Sequence, residues 1–93
     1  MSNATLSDKG LSIFVFAAYH QLTSGEPVTE VVLRDAAGHA ADPQGVREVE
    51  TAGLARVEGE RAVLSDAGLR FLNQVLEAVR ATGGKAETGR AVA

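Results

Sequence analysis

Leu54-Ala55-Arg56-Val57-Glu58-Gly59-Glu60-Arg61-Ala62-Val63-Leu64 sets two short apolar-rich runs, 54–57 and 61–64, on either side of Glu58-Gly59-Glu60. A connection this short, with a glycine to take a positive φ, predicts that the runs double back as a β-hairpin. Upstream, Asp42-Pro43 puts a carboxylate at an N-cap and a proline at the first helical position, where its missing N–H costs nothing and its φ suits a helix. The helix so started runs to about residue 52, buries Val46 and Val49, and stops at Gly53. Downstream, Ser65 caps a helix over residues 66–81 whose apolar stripe is Leu69, Leu72, Val75, Leu76 and Val79.

Further toward the N-terminus, Ser7 caps a first helix over residues 8–23, ended by Gly25 and Pro27. At helical spacing Leu11, Phe14, Val15, Ala18 and Leu22 fall on one face, which we take as the core face; Ile13 and Phe16 lie off it. Thr29 before Glu30-Val31-Val32-Leu33 reads as the N-cap of a short second helix ending near Ala37 or Gly38. The helix begun at Pro43 is then the third and the one begun at Asp66 the fourth. Leu-Ser-Asp-x-Gly-Leu occurs twice, at 6–11 and 64–69; two copies are too few for a solenoid and read as one capping solution used twice. Residues 1–5 and 82–93, small, polar or glycine-containing, are expected to be disordered on either side of a domain spanning 6–81.

Composition narrows the chemistry. Ninety-three residues suffice for one domain, and 45% hydrophobic with 23% charged residues is a globular balance. The longest nearly uncharged apolar run, 11–19, is half of what a membrane span needs, and no basic-then-apolar leader opens the chain, so a soluble cytoplasmic protein without a membrane partner is expected. The absence of cysteine excludes disulfides, thiolate nucleophiles and sulfur-ligated zinc. No nucleophile elbow, phosphate-binding loop, dinucleotide fingerprint or zinc-protease motif is present, so neither an enzyme nor a cofactor is expected. Asp35, His39 and Asp42 are the only metal-like cluster by spacing, and Asp42 already has its capping task, so no metal is expected either.

The order helix, short helix, capped helix, two-strand hairpin, helix resembles the winged helix-turn-helix superfamily. Local words agree: Ala52-Gly53-Leu54-Ala55-Arg56-Val57, Glu58-Gly59-Glu60-Arg61 and Ala62-Val63-Leu64-Ser65-Asp66-Ala67-Gly68 look like the stretch of MarR-like and PadR-like regulators that leaves the recognition helix, forms the wing and enters the last helix. The order covers most of the chain, and its most specific words cover 52–68. The fold implied is mainly α with a small β-hairpin wing: a three-helix core plus a C-terminal helix.

The resemblance implies a transcriptional regulator whose third helix reads duplex DNA in the major groove while the wing reaches flanking backbone or minor groove. Opposite Val46 and Val49 that helix carries Gln44, Arg47, Glu48 and Thr51. Arg47 and Gln44 suit guanine and adenine edges, with Thr51 beside them. Arg56 and Arg61 are the implied wing contacts, and Thr29 and Arg34 implied backbone contacts near the second helix.

Charge departs from that pattern. Nine Lys plus Arg against twelve Asp plus Glu give a net −3, and residues 29–64, with four arginines and seven acids, hold all of it. Phosphate binding is driven by cations, and Glu48, Glu50, Glu58 and Glu60 surround the candidate arginines. The alternative is a winged-helix module whose lost basic surface has become a protein-docking surface. Ile13 and Phe16 on the first helix and Phe71, Val75 and Val79 on the last broaden the apolar faces, suggesting a homodimer through these two helices. The competing account is a first helix buried on both sides within one domain.

Overall fold

The computed structural model describes residues 6–34, 38 and 40–88. Its elements are α1 (Asp8–Ser24), β1 (Glu30–Val32), α2 (Pro43–Thr51), β2 (Ala55–Glu58), β3 (Arg61–Leu64) and α3 (Asp66–Thr88). Three helices and a three-stranded antiparallel sheet of order β1-β3-β2 thus make a small mixed α/β fold.

The hairpin forms where its sequence requires it. Ala55 pairs with Leu64, Arg56 with Val63, Val57 with Ala62 and Glu58 with Arg61, leaving Gly59 and Glu60 in the loop with Gly59 at φ 63°. Period-two alternation turns Ala55, Ala62 and Leu64 into the core and Arg56, Glu58 and Arg61 outward. Asp42 caps α2 as expected, its Oδ1 accepting from Gln44 N–H at 2.8 Å.

Residues 30–32, expected to open a second helix, form β1 instead. Val31 and Val32 are β-branched and fit a pleated surface, and β3 offers them an open edge: Glu30 pairs with Val63, Val31 with Ala62 and Val32 with Arg61. Thr29 accordingly caps no helix; its carbonyl accepts from Leu64 N–H at 3.0 Å. After β1 the chain returns on itself, with an isolated bridge between Arg34 and Ala40 and Ala41 N–H donating to Leu33 O at 2.8 Å. Ala37, where the expected helix was to end, lies outside the described residues, as do Asp35 and His39. No helix separates α1 from α2 among those described.

α1 is turned roughly a quarter of a circle about its axis from the expected orientation. Its buried residues are Gly10, Ile13, Phe14, Ala17 and Ala18, whereas Leu11, Val15, Tyr19 and Leu22 are exposed. Phe14 and Ala18 are common to both readings. The expected face weighted bulky residues; the real one is set by close approach. A Cβ at Gly45 of α2 would overlap the Lys9 carbonyl, so the two helices meet backbone to backbone at Gly10 and Gly45. Small residues, not large ones, mark that crossing.

Gly10 and Gly68 also explain the repeated Leu-Ser-Asp-x-Gly-Leu. In each copy the serine caps the helix: Ser7 Oγ accepts from Lys9 N–H at 3.3 Å, and Ser65 Oγ from Gly68 N–H at 3.1 Å while donating to Gly53 O at 2.6 Å. Two residues into each helix the glycine then admits an acceptor from elsewhere, the Glu48 carboxylate over α1 and the Leu54 carbonyl over α3. Helix N-termini carry unsatisfied N–H groups and positive partial charge, so both acceptors are favourably placed.

α3 runs seven residues past its expected end at Ala81, to Thr88. No proline interrupts it, and Thr82 Oγ1 donates back to Ala78 O at 3.0 Å. Residues 1–5 and 89–93 lie outside the described part. The core gathers Ile13, Phe14, Ala17, Ala18, Val31, Val49, Leu54, Ala55, Ala62, Leu64, Leu72 and Leu76 from all six elements or their junctions. No helix among the described residues is long and apolar enough to cross a membrane.

Candidate functional site

α2 presents Pro43, Gln44, Arg47, Glu50 and Thr51 to solvent and buries Gly45 and Val49. The expected outward row of Gln44, Arg47, Glu48 and Thr51 is therefore present but for one member. Glu48 is partly buried and turned toward the start of α1, where it accepts from Ser7 N–H at 3.0 Å and from Ser7 Oγ–H at 2.8 Å. Gln44 Nε2 donates to the same carboxylate at 3.2 Å. Nothing local in the sequence announces this cap, because its partners lie 41 residues apart.

These bonds, first from the Ser7 hydroxyl and then from the Ser7 N–H, hold the Glu48 carboxyl below its ordinary value against the opposing effect of desolvation. A depressed folded-state value means that the bond stabilises the fold fully above the usual carboxylate range and is lost as pH falls through the lowered value. Comparing the unfolding free energies of wild type and Glu48→Gln across pH checks this. The difference is expected to hold constant above the ordinary carboxylate range and to shrink as pH falls through and below it; a pH-independent difference would remove the charged cap.

The other acid beside Arg47 also points elsewhere: Glu50 Oε2 accepts from Val57 N–H on the outer edge of β2 at 3.4 Å. Arg47 thus forms no ion pair among the described residues. Asp42, besides capping α2, lies 3.7 Å from Lys9 Nζ. The start of α2 is consequently tied to the start of α1 by Glu48, by Asp42 and by the Gly10–Gly45 contact.

The hairpin arginines are in a different condition. Arg56 and Glu58, two apart on one strand, share the outward face and pair at 2.6 Å. The β1–β3 register places Glu30 diagonally across from Arg61, and they pair at 2.8 Å. All four side chains are largely solvated, so each pair is worth on the order of 0–1 kcal/mol.

Arg34 and the hairpin tip come together with the start of α2. Leu33, Arg34, Ala40, Ala41, Pro43, Val46, Gly59 and Glu60 border an open groove of about 330 Å³, and Leu33 N–H donates to Glu60 O at 2.7 Å. Thr29 is exposed at the far end of β1, away from that tip. Of the expected metal-like cluster only Asp42 is described, and it is occupied as a cap; no group of three potential ligands occurs among the described residues.

Four of the five residues expected at a dimer interface belong to the domain itself. Ile13 is 3% exposed in the core. Phe16, Phe71 and Val75 pack against that core, with the Phe71 ring tilted 50° against Phe14 at a centroid distance of 4.6 Å. Ile13 and Phe16 fall off the expected face of α1 because its inner side is turned from that face, and Phe71 and Val75 widen the inner side of α3. Val79 alone is well exposed.

No family model, no curated protein and no solved structure matches this chain.

Proposed function

We propose that the chain is a winged-helix DNA-binding domain that reads duplex DNA with α2 and steadies it with the β2–β3 hairpin. The capped α2 leading into the β2–β3 hairpin and then α3, with β1 completing the sheet, supports the winged-helix reading, while the expected short helix before α2 is absent among the described residues. The observation that carries the function is Arg47, exposed between Gln44 and Thr51, with both neighbouring glutamates committed elsewhere. Sequence charge counting treats Glu48 and Glu50 as repelling phosphate; their bonds turn them toward α1 and β2 and leave a cation as the charge most available on the outward face. Arg47 has the donor fork that recognises guanine, and Gln44 and Thr51 flank it. Among the described residues the wing arginines are restrained by surface ion pairs, which cost little to exchange for phosphate contacts.

Binding of a mixed-sequence duplex, followed by fluorescence anisotropy across a salt series, tests this. With Arg56 and Arg61 each meeting a phosphate and Arg47 a base edge, the log–log salt slope is expected near −2, a loss of roughly 10-fold between 50 and 200 mM salt. Arg47→Ala is expected to weaken binding, and Glu58→Gln, which frees Arg56, to strengthen it. A second reading, a protein-docking module on the same scaffold, is favoured by the ion-paired wing and the net charge of −3. If wild type and Glu58→Gln both leave the duplex unbound at low salt, the DNA reading fails and the protein-docking reading replaces it.

A further inference from the structure

The Glu48 carboxylate touches two helices at once. Its Oε1 accepts from Ser7 N–H at 3.0 Å, and both of its oxygens lie 2.8 Å from Ser7 Oγ. Gly10 completes this seat on α1: a Cβ there would stand 2.7 Å from Glu48 Oε1, so the missing side chain leaves room for the carboxylate. On α2 itself, Glu48 Oε2 accepts from Gln44 Nε2 at 3.2 Å, four residues earlier on the helix. Gln44 is exposed and precedes Arg47 on the outward row.

A glutamine amide can turn over, exchanging oxygen for nitrogen, unless a neighbour accepts without donating. Glu48 is such a neighbour. The Ser7 bonds hold its carboxyl below the ordinary value, so at neutral pH it is ionised and has no proton to give. An ionised carboxylate repels an amide oxygen, and Gln44 therefore keeps its nitrogen toward Glu48 and its oxygen away. One of its two N–H groups is taken by that bond. The carbonyl oxygen and the second N–H remain as an acceptor and a donor in fixed order.

We infer that Glu48 is a positioning residue that holds the Gln44 amide in one orientation and thereby sets which base Gln44 reads, an inference that rests on the duplex-DNA reading above. In the major groove adenine offers an acceptor at N7 beside a donor at N6, so an amide presenting one N–H and its oxygen in the matching order meets both. Turned over at the same place, it sets donor against donor and acceptor against acceptor. A free amide adapts to either order, whereas a held one distinguishes adenine from the other bases at that position. The held side chain also has less freedom to lose on docking. Glu48 touches no base in this arrangement and acts through Gln44 alone. Its charge, which counts against phosphate binding in the sequence, here aims a neutral reader.

Selection of a preferred site from a randomised duplex pool, followed by anisotropy on single-base variants of that site, tests it. The position read by Gln44 is the one whose preference disappears in Gln44→Ala. Wild type is expected to favour adenine there by roughly 10- to 100-fold. Glu48→Gln, whose amide donates as well as accepts, is expected to lose at least about 5-fold of that preference while other positions keep theirs, and to add nothing in a Gln44→Ala background. Gly10→Ala, which crowds Glu48 from the α1 side, is expected to act in the same direction. In NMR spectra of the free protein, the two side-chain amide protons of Gln44 are expected further apart than those of the exposed Gln74, and closer together in Glu48→Gln. A wild type that binds no duplex removes the DNA reading and this one with it. A bound duplex without an adenine preference at that position, a preference that Glu48→Gln leaves whole, or Gln44 amide protons that match those of Gln74 in the wild type, overturns this inference alone.

Discussion

Phe14→Ala is expected to destabilise the domain by about 3–5 kcal/mol, read as a drop in the urea midpoint at unchanged slope. Phe14 is fully buried, its ring lies against Phe71, and Leu72, Leu76 and Val49 are the other largest fully buried side chains among the described residues. A small domain holds on the order of 5–15 kcal/mol in all, so this single truncation removes a large share of it. Val15→Ala, one residue along, supplies the contrast. Sequence periodicity puts both residues on the core face, whereas the folded chain exposes Val15, and a substitution there is expected to change stability by no more than about 0.5 kcal/mol in the isolated protomer. Measured at a concentration where the protein is monomeric, equal losses for the two variants would mean that α1 is not turned as described.

Gly68→Ala is expected to cost about 3 kcal/mol, although helix propensity favours alanine over glycine by about 1 kcal/mol. An added Cβ would overlap the Leu54 carbonyl oxygen and come within 3.0 Å of its carbon. That carbonyl also accepts from Ser65 N–H at 3.0 Å, so it cannot withdraw without breaking the join between hairpin and α3. Gly10→Ala, at the equivalent place in the repeated motif, meets the Glu48 Oε1 atom at 2.7 Å. The far end of a glutamate side chain swings aside more readily than a backbone. Thermal unfolding of the two variants should therefore rank Gly68→Ala well below Gly10→Ala. The reverse order would show that the two glycines are not used as described.

The candidate site was legible in its residue types but not in its electrostatics. Asp42-Pro43 announced the start of α2, and Val46 and Val49 its inner side, so Gln44, Arg47 and Thr51 could be placed on the outside from spacing alone. The same spacing put Glu48 beside them. Its withdrawal depends on Ser7 standing at the end of another helix, and no local pattern encodes that. The pairing of Arg56 with Glu58 follows from strand periodicity, but that of Arg61 with Glu30 required β1, which a capping reading of Thr29 had turned into a helix. A β-branched pair next to a threonine suits either structure; the open edge of β3 decided between them.

From the sequence alone came whatever short-range chemistry dictates: the caps at Ser7, Asp42 and Ser65, the proline that starts α2, the glycine turn of the hairpin and the strands on both sides of it. These depend on a few neighbouring φ angles and hydrogen bonds, so neighbouring residues suffice to specify them. Tertiary structure decided which side of α1 is buried, which strand completes the sheet and where each glutamate points. Those outcomes turn on close packing between distant segments, where Gly10 against Gly45 and Gly68 against Leu54 matter more than the bulk of the side chains around them.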